Sequence, residues 1–292
     1  RKIMKSKVLF TKEITPESLV KLYKALGVEL KGKVLVKIHS GEPGNQNFLH
    51  PEFFKPVFDL VDGTICECNT AYDGGRNTSE KHLKTLENNG WSKLYPVDLL
   101  DEFGPDYCFE IKDGVVIKKD YVGKDLLKYD SLLVLSHFKG HPMGGFGGAL
   151  KQLSIGCASS YGKKYIHGAG DTSGNYWATE QDKFIGAMGD AASAVAKHFM
   201  GKAVYINVMK NMSVDCDCCA VAEDPCMKDI GVLISTDPIA IDKACVDLIY
   251  KANDPGRDHL LERIKSRHGE HIFDVAMKHN FGSLDYELID ID

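Results

Sequence analysis

Residues 131–155 read SLLVLSHFKGHPMGGFGGALKQLSI, and this stretch decides the fold. Leu132 to Leu135 is a short, uninterrupted apolar run, the pattern of a strand buried on both faces. The run ends in a polar, glycine-rich turn carrying His137, Lys139 and His141, and Ala149 to Ile155 then reads as helix. Strand, glycine turn and helix is how an α/β protein presents backbone N–H groups to an anion. Gly144, Gly145, Gly147 and Gly148 would form the cradle, with Lys151 one turn into the helix to offset charge. The GGFGG spacing matches neither the dinucleotide fingerprint nor a P-loop. The expected occupant is therefore a small anion: phosphate, sulfate, a phosphorylated cofactor or an anionic substrate. The same glycines also suit a tight turn that needs positive φ and close packing.

The alternation continues on both sides. Upstream, Lys7–Phe10 reads as strand and 15–26 as helix, with Thr15 at the cap and Pro16 at the first helical position. Lys33–Ile38 is a strand, Pro51–Leu60 a helix and Thr64–Asn69 a strand. A further helix runs from a cap at Thr78 or Ser79 to Asn89. The loop after Ile38, HSGEPGNQNFLHP, carries three amides and two histidines and leaves a strand end, where open α/β sheets keep their ligands. Residues 95–121, with a Lys-Asp-Gly turn, predict an appended β-hairpin. Downstream, 168–181 (GAGDTSGNYWATEQ) reads as a loop or lid, 183–199 as helix and 203–208 as strand. Residues 230–234 are strand, 239–250, 258–267 and 272–278 helices, and 284–289 a final edge strand. Strands alternating with helices predict one α/β unit: a mostly parallel sheet with helices on both faces and an inserted β-hairpin.

The 292 residues carry 36 Lys and Arg against 41 Asp and Glu, a net charge of −5, with no basic stripe. That argues against nucleic-acid binding. No apolar run approaches the roughly 20 residues of a membrane span, and RKIMKSKVLF lacks a signal-peptide core. Met4 would be a native start behind a short remnant, and a cytoplasmic location is expected.

Nine cysteines stand at 66, 68, 108, 157, 216, 218, 219, 226 and 245. In a reducing compartment, clustered cysteines read as metal or redox sites. Cys216, Cys218, Cys219 and Cys226 fall within eleven residues, among Asp215, Asp217, Glu223 and Asp224, poor company for a core. Four soft thiolates suit zinc or an iron–sulfur cluster, although C-x-C-C-x₆-C matches neither ferredoxin runs nor zinc ribbons. Ligands from separate segments are then easier to assemble, and Cys157, at the end of the glycine-turn helix, is a candidate extra ligand. Cys66 and Cys68, two apart on one strand, share a face and suit the sheet core.

HFKGHPMGGFGGALKQLSIGCASSYGKKYIH, VDCDCC and DIGVLISTDPIAIDKACVDLI together resemble the uncharacterised iron–sulfur centre proteins, the domain of unknown function numbered 362. The resemblance spans residues 33 to 251 and implies an α/β fold with iron–sulfur binding in many members. Larger relatives carry a ferredoxin-like pair of cysteine motifs just after the position of His167, where this chain has GAGDTSGNYWATEQ. The family's own site would then be Cys216 and Cys218 with the His137–Cys157 segment.

Three functions follow as expectations. The first is a redox or cluster-dependent enzyme with a 4Fe–4S centre at the cysteine loop and a possible redox partner protein. A small anionic substrate would sit at the glycine turn, with His137, His141 and Lys139 as catalytic residues. The second is a zinc-dependent hydrolase or lyase using His137, His141 and thiolates. The third is a non-enzymatic metal or cluster carrier.

Overall fold

In the computed structural model, residues 5–292 are described; Met4 lies outside them. The elements run β1 (Ser6–Thr11), α1 (Pro16–Leu26), β2 (Val34–Lys37), α2 (Pro51–Val61), β3 (Thr64–Glu67), α3 (Ser79–Asn88), α4 (Trp91–Leu94) and β4 (Val97–Leu99). Then follow β5 (Tyr107–Glu110), β6 (Lys119–Val122), β7 (Ser131–His137), β8 (Lys139–His141), β9 (Gly145–Gly147) and α5 (Ala149–Lys151). The last are α6 (Ser160–His167), α7 (Gln181–His198), β10 (Ala203–Met209), β11 (Gly231–Ser235), α8 (Pro238–Lys251), α9 (Arg257–Ser266), α10 (His271–Ala276) and β12 (Tyr286–Asp290).

Eight strands form one sheet in the order β12-β1-β11-β10-β7-β2-β3-β4. Every neighbouring pair is parallel except the two made by β11. The alternation of side chains splits the core into two layers. Leu133 and Leu135 of β7 join Val204, Ile206 and Val208 of β10 on the face covered by α1, α2 and α3. Leu132 and Val134 join Tyr205 on the face covered by α5, α7 and α8. Both faces of β7 are buried, so its apolar run has no solvent side to alternate toward. Leu133→Ala would cost about 2–5 kcal/mol, the usual result of hollowing such a position.

The cap at Thr15 forms as the sequence predicts: its hydroxyl accepts from the Ser18 N–H while Ser18 returns a bond to the Thr15 backbone. The region around the hairpin differs from the expectation. Residues 97–99 form β4, a parallel edge strand beside β3, and the antiparallel hairpin is confined to β5 and β6. That hairpin is not paired into the large sheet; Asp190 of α7 anchors the loop between its two strands by accepting from the Val115, Val116 and Ile117 N–H groups at 2.9, 2.6 and 2.9 Å. The glycine turn is itself a small ribbon, β8 against β9. Helix α5 runs directly into one π-helical turn, Gln152–Gly156, where one residue more per turn pushes side chains sideways. No helix among the described residues is long and apolar enough to cross a membrane.

Candidate metal centre

Parallel strands β2, β3 and β7 point their carboxyl ends at one region, and the loops leaving them form the site. Gly140 sets the first close approach. A Cβ there would lie 2.5 Å from the Val214 carbonyl, so only glycine lets the 213–219 loop lie flat on β8. The Gly140 N–H bonds the Ser213 carbonyl at 2.8 Å, and Arg263 holds the Val214 carbonyl at 2.6 Å and Asp215 at 3.0 Å. From the other side, Asn45, Gln46 and Asn47 each donate to a loop carbonyl, those of Cys219, Ala222 and Glu223, at 2.8, 2.6 and 2.8 Å. The three amides of the HSGEPGNQNFLHP loop are the clamp on the cysteine loop.

The clamp brings His141, Cys216 and Cys218 together, their ligand atoms all within 4.8 Å of one another. His141 Nε2 lies 3.7 Å from Cys218 Sγ. Its Nδ1 accepts from the Met143 and Gly144 N–H groups at 3.1 and 2.8 Å. Two donors at Nδ1 place the ring proton of the neutral form on Nε2, the nitrogen that faces sulfur. His39 is held the same way, its Nδ1 accepting from the Gly41 N–H at 3.1 Å, and its ring also bonds Cys216.

Burial disfavours a charged Cys216, but the Cys218 hydrogen bond and the nearby Lys139 and Lys151 ammonium groups outweigh it. The Cys216 thiol is held well below its ordinary value, while Cys218, bonded to both neighbours, is pushed up. Burial lowers both His39 and His141 to about 4, so both rings are neutral near pH 7.

His137 and Lys139 have other work. The His137 ring meets Asp217 at Nδ1 (2.9 Å) and the Lys210 carbonyl at Nε2 (2.6 Å), so both nitrogens face oxygen acceptors. It ties the end of β7 to the cysteine loop. Lys139 Nζ is 3.4 Å from the same Asp217 carboxylate, whose pKa falls despite burial because His137 and Lys139 stand beside it.

The structure separates the remaining sequence candidates from this trio. Cys157 is fully buried, and its backbone carbonyl accepts from the Cys68 thiol at 3.5 Å. It belongs with Cys66 and Cys68 on the core side of the sheet end. Cys226 turns away, its thiol donating to the Met212 carbonyl at 3.4 Å. Cys219 is adjacent but outside the ligand-distance group among the described residues.

The free N–H groups expected at the glycine turn are taken. Ala149 and Leu150 donate to the two carboxylate oxygens of Asp242 of α8 at 2.8 and 2.9 Å. An internal carboxylate thus occupies the position expected for an external anion. Gly148 is required by that contact, since a Cβ would fall 2.4 Å from Asp242 Oδ1. Gly145 sits at φ 81°, and a Cβ there would lie 2.9 Å from the Gly269 Cα, which makes it a turn residue. Gly147 and Lys151 nevertheless face a cavity of about 300 Å³ that adjoins the thiols.

That cavity holds groups the sequence did not announce. Lys37 and Gln152 meet at 3.0 Å on one wall, beside Glu67. Glu67 accepts from His82 at 2.7 Å and lies 3.6 Å from Lys37 and 3.7 Å from Arg76. Lys163 and His167 of α6 and Trp177 of the 168–181 loop also line it. A spacing of four on a helix, as between Lys163 and His167, was the available signal.

In this α/β protein two cysteines and an imidazole are grouped closely enough that they could hold a metal ion. The chain belongs to the DUF362 family, a domain of unknown function whose model matches residues 34–247. No curated protein matches it. Among solved structures it is similar to the lactate racemase apoprotein from Thermoanaerobacterium thermosaccharolyticum, at 15% identity and TM-score 0.42, over 68% of this chain and 50% of that one. It is also similar to a Thermotoga maritima protein, at 12% identity and TM-score 0.45, over 90% of this chain and 58% of that one. The chain thus spans between half and three-fifths of the length of these two proteins.

Proposed function

We propose that this chain is a metal-dependent enzyme in which Cys216, Cys218 and His141 hold a soft metal centre beside a cation-lined cavity for a small anionic substrate. The observation that carries the reading is the grouping of two sulfurs and one imidazole nitrogen within 4.8 Å. Sulfur and imidazole select zinc, copper(I) or iron over hard cations. A 4Fe–4S cluster takes four thiolates, whereas this group offers two, so the donor count favours a single ion. When bound, the ion supplies Lewis-acid polarisation of a substrate oxygen or of water.

The protein's own residues do the rest. Held by an ion, Cys218 would bind as a thiolate and give up its proton, and His141 would bind through Nε2 as the neutral imidazole with its proton moved to Nδ1, so uptake would release the thiol proton. The ring would then release the Met143 and Gly144 N–H groups, whose place at Nδ1 the proton takes. Lys139 and Lys151 balance the charge of the thiolates. Asn45, Gln46 and Asn47 keep the loop from relaxing.

Elemental and acid-labile sulfide analysis of anaerobically purified protein is the test. One zinc or other soft ion per chain, lost in Cys216→Ala and Cys218→Ala, is the expected result. Iron with equimolar sulfide would replace the single ion by a cluster. Protein without metal in any preparation, or variants that retain wild-type metal, would remove the reading.

A further inference from the structure

Two polar groups lining the cavity lack the partners that buried polar groups normally have, and a buried lysine beside one of them has donors to spare. His167 is 7% exposed, and its Nδ1 is buried with no hydrogen-bond partner. Its ring is stacked on Phe184 at 4.5 Å and met edge-on by Trp177 at 4.6 Å. The two aromatic rings fix its plane but satisfy no nitrogen. Ser136, at the end of β7, is 1% exposed, and its hydroxyl oxygen is also without a partner. Lys163, one helical turn before His167, is 7% exposed. Its ammonium donates to the Ala158 carbonyl at 2.6 Å and forms no ion pair among the described residues. An ammonium has three N–H donors, so two are left for another acceptor. The other deeply buried lysines of the cavity differ: Lys37 and Lys139 lie 3.6 and 3.4 Å from carboxylates.

We infer that Lys163 and His167, with Ser136 beside them, form the subsite that receives the oxyanion head group of the substrate, a carboxylate or a phosphate. This rests on the reading of Cys216, Cys218 and His141 as the reacting end of the same cavity. A negative oxygen would give Lys163 the contact ion pair that Asp101 and Glu67, which act on it only from beyond ion-pair distance, do not, and would meet donors on His167 and Ser136. Burial already lowers the Lys163 pKa, and an arriving anion reverses that pressure. Lys151 lines the same space. The volume, about 300 Å³, has room for roughly ten water-sized groups at about 30 Å³ each, which limits the ligand to a small acid. The apolar faces of Met143, Ile155 and Trp177 then enclose the part of the ligand between its two ends.

Calorimetric titration of the full chain with acetate and, separately, with inorganic phosphate tests the subsite and distinguishes the two head groups. Saturable binding of one of them is expected. Lys163→Met should weaken it by about tenfold or more, the loss of a buried charge-assisted contact. Lys164→Met removes the same charge from the next position of α6, outside the cavity, and should bind as wild type does. If Lys163→Met does not fold, His167→Gln carries the comparison with Lys164→Met. No binding of either oxyanion, or equal weakening in the cavity variant and Lys164→Met, overturns the subsite. Metal content measured on the same preparations separates the two readings. Lys163→Met should keep its metal, and Cys216→Ala should lose metal while still binding the oxyanion.

Discussion

Two groups of cysteines lie near the carboxyl end of the sheet, and their chemistry is opposite. Cys216 is fully buried, yet its thiol is held well below its ordinary value, because Cys218, Lys139 and Lys151 outweigh the cost of desolvation. Cys66, Cys68 and Cys157 are as deeply buried, and desolvation dominates there: Cys157 is pushed up to about 11 and the other two higher still. Burial alone therefore does not decide what a cysteine does. The donors and cations around it decide, and they come from the cysteine loop itself, β8 and α5.

Metal retention should break along this line, and the effect should be the largest of any measured. Cys216→Ala and Cys218→Ala should bind no stoichiometric metal. Cys157→Ala and Cys245→Ala should keep a full complement, since Cys245 packs inside α8 with its sulfur bonded only by Asn207 at 3.4 Å. Inductively coupled plasma analysis reads this directly, and uniform loss across all four variants would mean that the two groups are not distinct.

Alkylation sharpens the contrast among the half-buried thiols. The Cys218 hydrogen bond lowers Cys219, whereas burial raises Cys108 on β5. The thiolate is the nucleophile, so iodoacetamide at pH 7 should label Cys219 about tenfold faster than Cys108 in metal-free protein. Peptide mapping against time gives both rates. Cys66, Cys68 and Cys157 should stay unlabelled until the protein is denatured.

Much of the fold was legible because it rests on local patterns. The uninterrupted apolar run of β7, the Thr15 cap with Pro16 and the helix start at Asp237 and Pro238 are each written in adjacent residues. β4 was not legible, since three residues beside β3 are made a strand by their neighbour. The site divides in the same way. Cys216, Cys218 and His141 announced themselves by residue type. The pairing of His39 with Cys216 joins residues 177 positions apart, and its signal is only that both leave strand ends. The glycine turn misled because its free N–H groups are capped by Asp242, 93 residues away, and no local pattern records that.

Acid should act on the cavity before it acts on the cysteine core. His167 is lowered to about 3, first by burial and then by His141, Lys151 and Lys163. A histidine lowered in the folded state gives stability that is present above its unfolded pKa of about 6.5 and is lost as pH falls toward the folded value. Metal-free protein should therefore lose a few kcal/mol between about pH 6.5 and pH 3, with His167→Gln showing a shallower decline. Denaturant titration across that range measures the slopes; equal slopes would mean that the buried ring is not what acid attacks.

The smallest effect tests whether the core cysteines act as apolar groups. Cys157 is fully exposed to neither water nor a hydrogen-bond donor, being 0% accessible within the core. Cys157→Ala removes one sulfur and should cost about 1–2 kcal/mol, in line with small buried deletions. Cys157→Ser keeps nearly the same shape but buries a hydroxyl, and an unsatisfied hydroxyl costs about 1–3 kcal/mol. The closer steric match should then be no better than the alanine. Cys219→Ser, at the half-exposed site, should stay within about 0.5 kcal/mol of wild type. Urea midpoints at constant slope give all three values in metal-free protein. A Cys157→Ser protein as stable as wild type would show that a polar partner reaches that sulfur, and the two cysteine groups would then differ in degree and not in kind.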